Sequence, residues 1–129
     1  MFGLFKKPGQ FVTEADCQKN LERQIETTPM ILQQLAQLNI NESKALKVEY
    51  FFYTNTLEKA KALVDVLASR GYVGVAERSA HSRKEFVVTG WTTPIEMSEA
   101  NLIEWTKDMC KLGLSHDCDF DGWGTTPEQ

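Results

Sequence analysis

This 129-residue sequence predicts an α+β sandwich built on one antiparallel sheet, and three observations carry that prediction. After an N-terminal helical stretch, β-branched and aromatic runs alternate with amphipathic helical runs in the order β-α-β-β-α-β. The two central strand runs are separated only by a short polar stretch, as in a hairpin. The two later helical runs open beside serine, threonine or asparagine, and each closes on a glycine.

The first helix is expected from about 13 to 38. Thr13 can cap it, Glu14 and Asp16 suit its positive end, and Leu21, Ile25, Leu32 and Leu35 recur at helical spacing, with Ile31 and Leu38 widening the stripe. Pro29 interrupts that run, so two segments or one kinked helix are expected. Asn39 to Ser43 reads as a loop. From Ala45 to Tyr53 the pattern alternates, with Leu46, Val48, Tyr50 and Phe52 on one face and Lys47, Glu49, Phe51 and Tyr53 on the other. A second helix, about 56 to 70, has Asn55 or Thr56 as its cap, Leu57, Ala60, Val64 and Leu67 as its stripe, and Gly71 as its stop. Strands at 72–77 and 85–92 flank the polar loop 78–84. A third helix from about Ser98 to Leu112 turns Leu102, Trp105, Met109 and Leu112 inward and stops at Gly113. The final strand is expected over Leu114–Asp121, leading into a tight turn at Asp121–Gly124.

Right-handed crossovers close this order into a ferredoxin-like α/β sandwich with both later helices on one face of the sheet. The chain then divides into a tail, 1–12, and a single domain, 13–129, that includes the extra helix at 13–38. The apolar stripe of that helix needs a partner, either the open face of the sheet or an edge of the sandwich.

Composition narrows the function classes. With 42% hydrophobic and 25% charged residues and only four prolines, the chain is neither disordered nor fibrous. No stretch approaches the ~20 consecutive apolar residues of a membrane span. At Met1–Pro8 the charges follow a short apolar run instead of preceding a long one, which describes a frayed or lightly docked tail and not a secretion signal. Cys17, Cys110 and Cys118 are odd in number, widely spaced and without a C-x-x-C pair, so reduced thiols and a cytoplasmic location are expected. A net charge of −4 argues against a general nucleic-acid binder.

The C-terminal run Asp117-Cys118-Asp119-Phe120-Asp121-Gly122, with Glu128, fits the calcium-loop pattern. Such a loop needs a helix leading in and another leading out, and Gly113 ends the preceding helix several residues early. Alternation places His116, Cys118 and Phe120 on one strand face and Asp117, Asp119 and Asp121 on the other. His116 and Asp117 therefore cannot act as a base with its orienting carboxylate. No nucleophile elbow, P-loop or dinucleotide fingerprint is present, so no catalytic residue, metal or cofactor is expected. Phe51, Tyr53 and Trp91 have the character of a base-stacking face. However, Lys84–Trp91 lacks the basic-glycine-aromatic signature, and the N-terminal helix is expected to cover these aromatics. Trp123, between two glycines, can fold back onto the sheet end. Together with Asp117, Asp119 and Asp121 it can instead anchor an arginine-rich partner.

Ser98–Glu104, Leu112-Gly113 and Asp119-Phe120-Asp121-Gly122-Trp123-Gly124-Thr125 resemble the C-terminal third of the regulator of ribonuclease activity B family. From about 14 to 93 the likeness is one of element order. The resemblance implies a bacterial, cytoplasmic, cofactor-free inhibitor that binds ribonuclease E outside its chemistry and alters which transcripts it degrades. It carries over no catalytic residue, and only Asp121, Gly122, Trp123, Gly124 and Thr125 map onto the family motif. The expected function is a non-catalytic, protein-binding regulator of RNA degradation, not an enzyme. The alternatives are an RNA-binding module on the open sheet face and, less favoured, calcium binding through 117–128.

Overall fold

A computed structural model describes residues 6–129, so the first five residues of the expected tail lie outside the described ones. The first helix, α1 (Glu14–Gln37), opens with a reciprocal cap: Asp16 N–H donates to Thr13 Oγ1 and Thr13 N–H to the Asp16 carboxylate. It is neither split nor ended at Pro29 but continues through it as one helix. Proline removes one backbone donor there, and the hydroxyls of Thr28 and Thr27 crowd the same turn, donating to the Gln24 carbonyl at 2.7 and 3.1 Å. At its end Asn39 takes a positive φ of 65°, and paired bonds from Asn39 and Ile40 close the last carbonyls.

The expected strand at 45–53 is two strands, β1 (Ala45–Leu46) and β2 (Glu49–Thr54). The helix α2 (Leu57–Ala68), capped by Thr56, follows, then the hairpin β3 (Val73–Arg78) and β4 (Phe86–Trp91). A short strand β5 (Ile95–Glu96) pairs with β1 in a separate two-stranded sheet that periodicity does not reveal, because two residues carry no period. Then come α3 (Glu99–Ser115), capped by Ser98, and β6 (Asp119–Gly124). The main sheet has the order β3-β4-β2-β6 with every pairing antiparallel, which is the ferredoxin-like arrangement expected from the element order. Tyr50, Phe52, Val88 and Phe120 line its inner face with Leu63, Leu67, Leu102 and Met109 of the helices, all at most 2% exposed.

Three expectations about the C-terminal third are corrected. Gly113 does not stop α3. The helix continues to Ser115, and Gly113 is needed because a Cβ there would sit 2.5 Å from the Cys118 carbonyl oxygen. The helix closes instead at Asp117, with a positive φ of 55°, while Cys118 N–H donates to the Gly113 carbonyl and Asp117 N–H to that of Leu114. The final strand therefore begins at Asp119, not Leu114, and the supposed turn at Asp121–Gly124 is strand β6 itself.

That strand carries a β-bulge: Phe52 pairs with Phe120 but Phe51 pairs with Gly122, leaving Asp121 as the extra residue. Gly122, at φ 150°, takes the conformation that the bulge demands. In regular alternation Phe120 and Trp123 would point to opposite faces. The inserted residue resets the phase, so both reach Trp105 of α3 in edge-on contact, at 5.7 and 6.3 Å between ring centroids.

Of the two places expected for the N-terminal helix it takes the edge, and the expected covering of the aromatics is corrected. The helix packs against α3 and along the β6 edge, not over Phe51 and Tyr53. Asn20 donates to the Asp119 carboxylate, Gln24 to the Phe120 carbonyl and Arg23 to the Asp121 carbonyl, at 2.7, 3.0 and 3.1 Å. These polar side chains, absent from any apolar-stripe reading, take the place of a further strand.

Candidate binding surface

The four residues expected to meet a partner fall into different surroundings. Asp117 is not on a strand. Its carboxylate accepts the N–H groups of Phe11 and Val12 at 2.8–2.9 Å and the Lys59 ammonium at 2.6 Å, latching the N-terminal arm to the end of α2. Burial pushes its pKa up, but the bonds from Lys59, Val12 and Phe11 outweigh that and hold it below the usual carboxylate value. Asp119 shows the opposite balance. Burial raises its pKa, the Asn20 hydrogen bond only partly offsets that, and Asp121 and Asp16 raise it further. Asp121 is exposed and holds Arg23 only loosely, at 3.9 Å with both side chains 56% accessible. Trp123 is partly buried against the core. Thr125, last of the motif, donates to the Lys47 carbonyl at 2.7 Å. The acidic run is thus a helix terminus followed by a strand, and does not form a calcium loop. Among the described residues, no group of three or more His, Cys, Asp or Glu side chains is placed to hold a metal ion.

The thiols and imidazoles form no reactive pair. Burial pushes Cys110 up to about 12 and Cys118 to about 11, so both stay protonated at neutral pH. Cys17 points its thiol at the Cys110 carbonyl, 3.5 Å away. His116 caps the last turn of α3, its Nδ1 3.1 Å from the Leu112 carbonyl, and does not face Asp117.

The outer face of the main sheet is where side chains remain available. Because α1 sits at the β6 edge, Phe51 and Tyr53 of β2 and Val87 and Trp91 of β4 stay only partly buried and outside the core cluster. On β3, Val73 and Val75 are 77% and 51% exposed. The register sets Val73, Trp91 and Glu49 in one row across this face, Val75, Thr89 and Phe51 in the next, and Glu77, Val87 and Tyr53 in the third. Tyr53 has its pKa raised by burial and further by the negative charge of Asp121 and Glu85. At the first row the face runs into a cleft of about 630 Å³ between Val73, Trp91, Pro94 and the C-terminal Thr126, Glu128 and Gln129. Sequence reading found the aromatics of β2 and β4 but missed the β3 valines, which show their exposure only once β3 is known to be an edge strand.

Compared with known families, the description "Regulator of ribonuclease activity B" matches residues 25–125. The chain belongs to that family. The family match starts midway along α1 and ends at Thr125, so it spans the whole sheet and the bulged Asp-Gly-Trp-Gly motif. The Phe11–Val12 arm, Asn20 and Arg23 lie before it. No curated protein matches the chain. Membership places it among regulators of ribonuclease activity, and no helix among the described residues is long and apolar enough to cross a membrane.

Proposed function

We propose that this chain is a non-catalytic, cytoplasmic regulator that binds ribonuclease E or a related endoribonuclease away from its catalytic centre and alters RNA degradation. The family match over 25–125 is the observation that carries this reading. The buried, protonated thiols and the separated histidine and carboxylate support a binding role. Among the acidic residues of the C-terminal run, Asp121 is assigned to partner contact, while Asp117, Asp119 and Trp123 serve mainly to hold the frame. The test is a cleavage assay with purified ribonuclease E, with binding followed by calorimetry at low salt. The expected result is a changed cleavage pattern with saturable binding and no RNA cleavage by the chain alone. Absence of binding at low salt removes the reading.

A second reading, an RNA-binding module, draws on the uncovered aromatics Phe51, Tyr53 and Trp91. The surrounding carboxylates oppose phosphate, so short single strands are expected to leave tryptophan fluorescence unchanged.

A further inference from the structure

We propose that the outer sheet face is a docking surface for a polypeptide segment of the partner in which arginine or lysine side chains alternate with apolar ones. This rests on the regulator reading above. Three features of the face select such an occupant. First, it offers apolar contact in rows across three strands: Val73 and Val75 on β3, Trp91 on β4, and Phe51 and Tyr53 on β2. Aliphatic and aromatic side chains of this kind bury well and offer π-faces to a guanidinium.

Second, the ionised groups that frame it are mainly carboxylates. Glu49 and Glu77 lie within the rows, the charges of Asp121 and Glu85 act on Tyr53, and Glu128 lines the adjoining cleft. Lys47 is the cation lining that cleft. Such a frame attracts a cationic segment and repels a phosphate backbone. It also disfavours a second copy of this chain, which would bring the same carboxylates against themselves. Third, the helix that could cover the face is engaged elsewhere: α1 is held to β6 by Asn20, Arg23 and Gln24. Among the described residues, α1 therefore leaves the face uncovered.

The experiment uses the full chain, with Glu49→Lys/Glu77→Lys as the face variant. The control is Glu26→Lys/Glu42→Lys, which makes the same change in net charge at exposed positions on α1 and its following loop. Binding is measured to purified ribonuclease E and to a synthetic peptide of alternating arginine and leucine, with an alternating glutamate-leucine peptide and oligouridylate as comparators. Thermal midpoints are recorded for each variant. The proposal expects the face variant to weaken binding of both the ribonuclease and the cationic peptide by at least about tenfold, while the control changes it by less than about threefold. Addition of the cationic peptide should shift Trp91 emission, a signal that Trp91→Phe removes without abolishing binding. Equal weakening by both charge variants reduces the effect to net charge and overturns the proposal. Ribonuclease binding untouched by the face variant overturns the docking face while leaving the regulator reading intact. Peptide binding lost in the face variant, with no ribonuclease binding at all, keeps the docking face and removes the regulator reading. Preferential binding of oligouridylate or the acidic peptide, or face-dependent dimerisation, overturns it.

Discussion

The two faces of the four-stranded sheet have opposite characters. On the inner face Tyr50, Phe52, Val88 and Phe120 are at most 2% exposed beneath α2 and α3. On the outer face Val73 and Val75 are 77% and 51% exposed, and Trp91 and Tyr53 share rows with Glu49 and Glu77. Both faces come from the same alternating strands, so strand chemistry alone does not separate them. The difference lies in where the helices go, and above all in α1, which has the length to cover the outer face but is fastened to the β6 edge. Apolar surface that the fold leaves uncovered while a helix is available is what the proposed docking partner would bury.

The sharpest break of this contrast is Phe120→Ala. Phe120 meets Phe52 at 4.9 Å and Trp105 at 5.7 Å, and its truncation should cost about 3–5 kcal/mol in urea unfolding. A cost under about 1 kcal/mol would mean that the inner face is not the core. Next is Asp117→Asn, which removes charge-assisted bonds to Phe11, Val12 and Lys59 and should cost about 1.5–3 kcal/mol at pH 7. The sign with pH follows from its lowered folded pKa. The carboxylate stabilises the fold above the unfolded carboxylate value and loses that contribution as pH falls through the lower folded value. The gap between wild type and variant should therefore close in acid; a gap that widens there would refute the latch. For Asp119, whose folded pKa is raised, stability is instead lost as pH rises through that value, so Asp119→Asn should leave neutral-pH stability unchanged or higher.

Gly122→Ala forces a side chain onto φ 150° and should cost about 1–2 kcal/mol, with Trp123 fluorescence reporting any loss of bulge register. The smallest effect is expected outside: Val75→Thr should change stability by less than about 0.5 kcal/mol, as surface substitutions do. A thermal midpoint that drops markedly for Val75→Thr would erase the distinction between the faces.

The sandwich was legible from sequence because its strands and later helices are periodic over enough residues to count. The β1–β5 ribbon was not, at two residues each. The C-terminal third was misread for a different reason. Gly113 reads as a stop signal locally, yet its role is close approach to Cys118, a contact the chain makes only after folding back. The motif at Asp121–Gly124 has the composition of a turn, because the glycine that suits a turn also suits a bulge, and only the pairing with β2 tells the two apart. Which of its two expected places α1 takes was hidden because polar residues, Asn20, Arg23 and Gln24, decide it, and hydrophobic periodicity is blind to them. For the binding surface, the aromatics were visible singly, while their grouping with Val73 and Val75 needed the strand order.

The fastening of α1 along β6 also sets how many neighbours the sheet can recruit. With β6 shielded, β3 is, among the described residues, the end of the main sheet left without a neighbour. In the language of polymer chemistry, the main sheet is then a monofunctional monomer: pairing at its edges would stop at a pair. Releasing α1 would make it bifunctional and permit open-ended filaments, so the helix sets an upper bound on assembly.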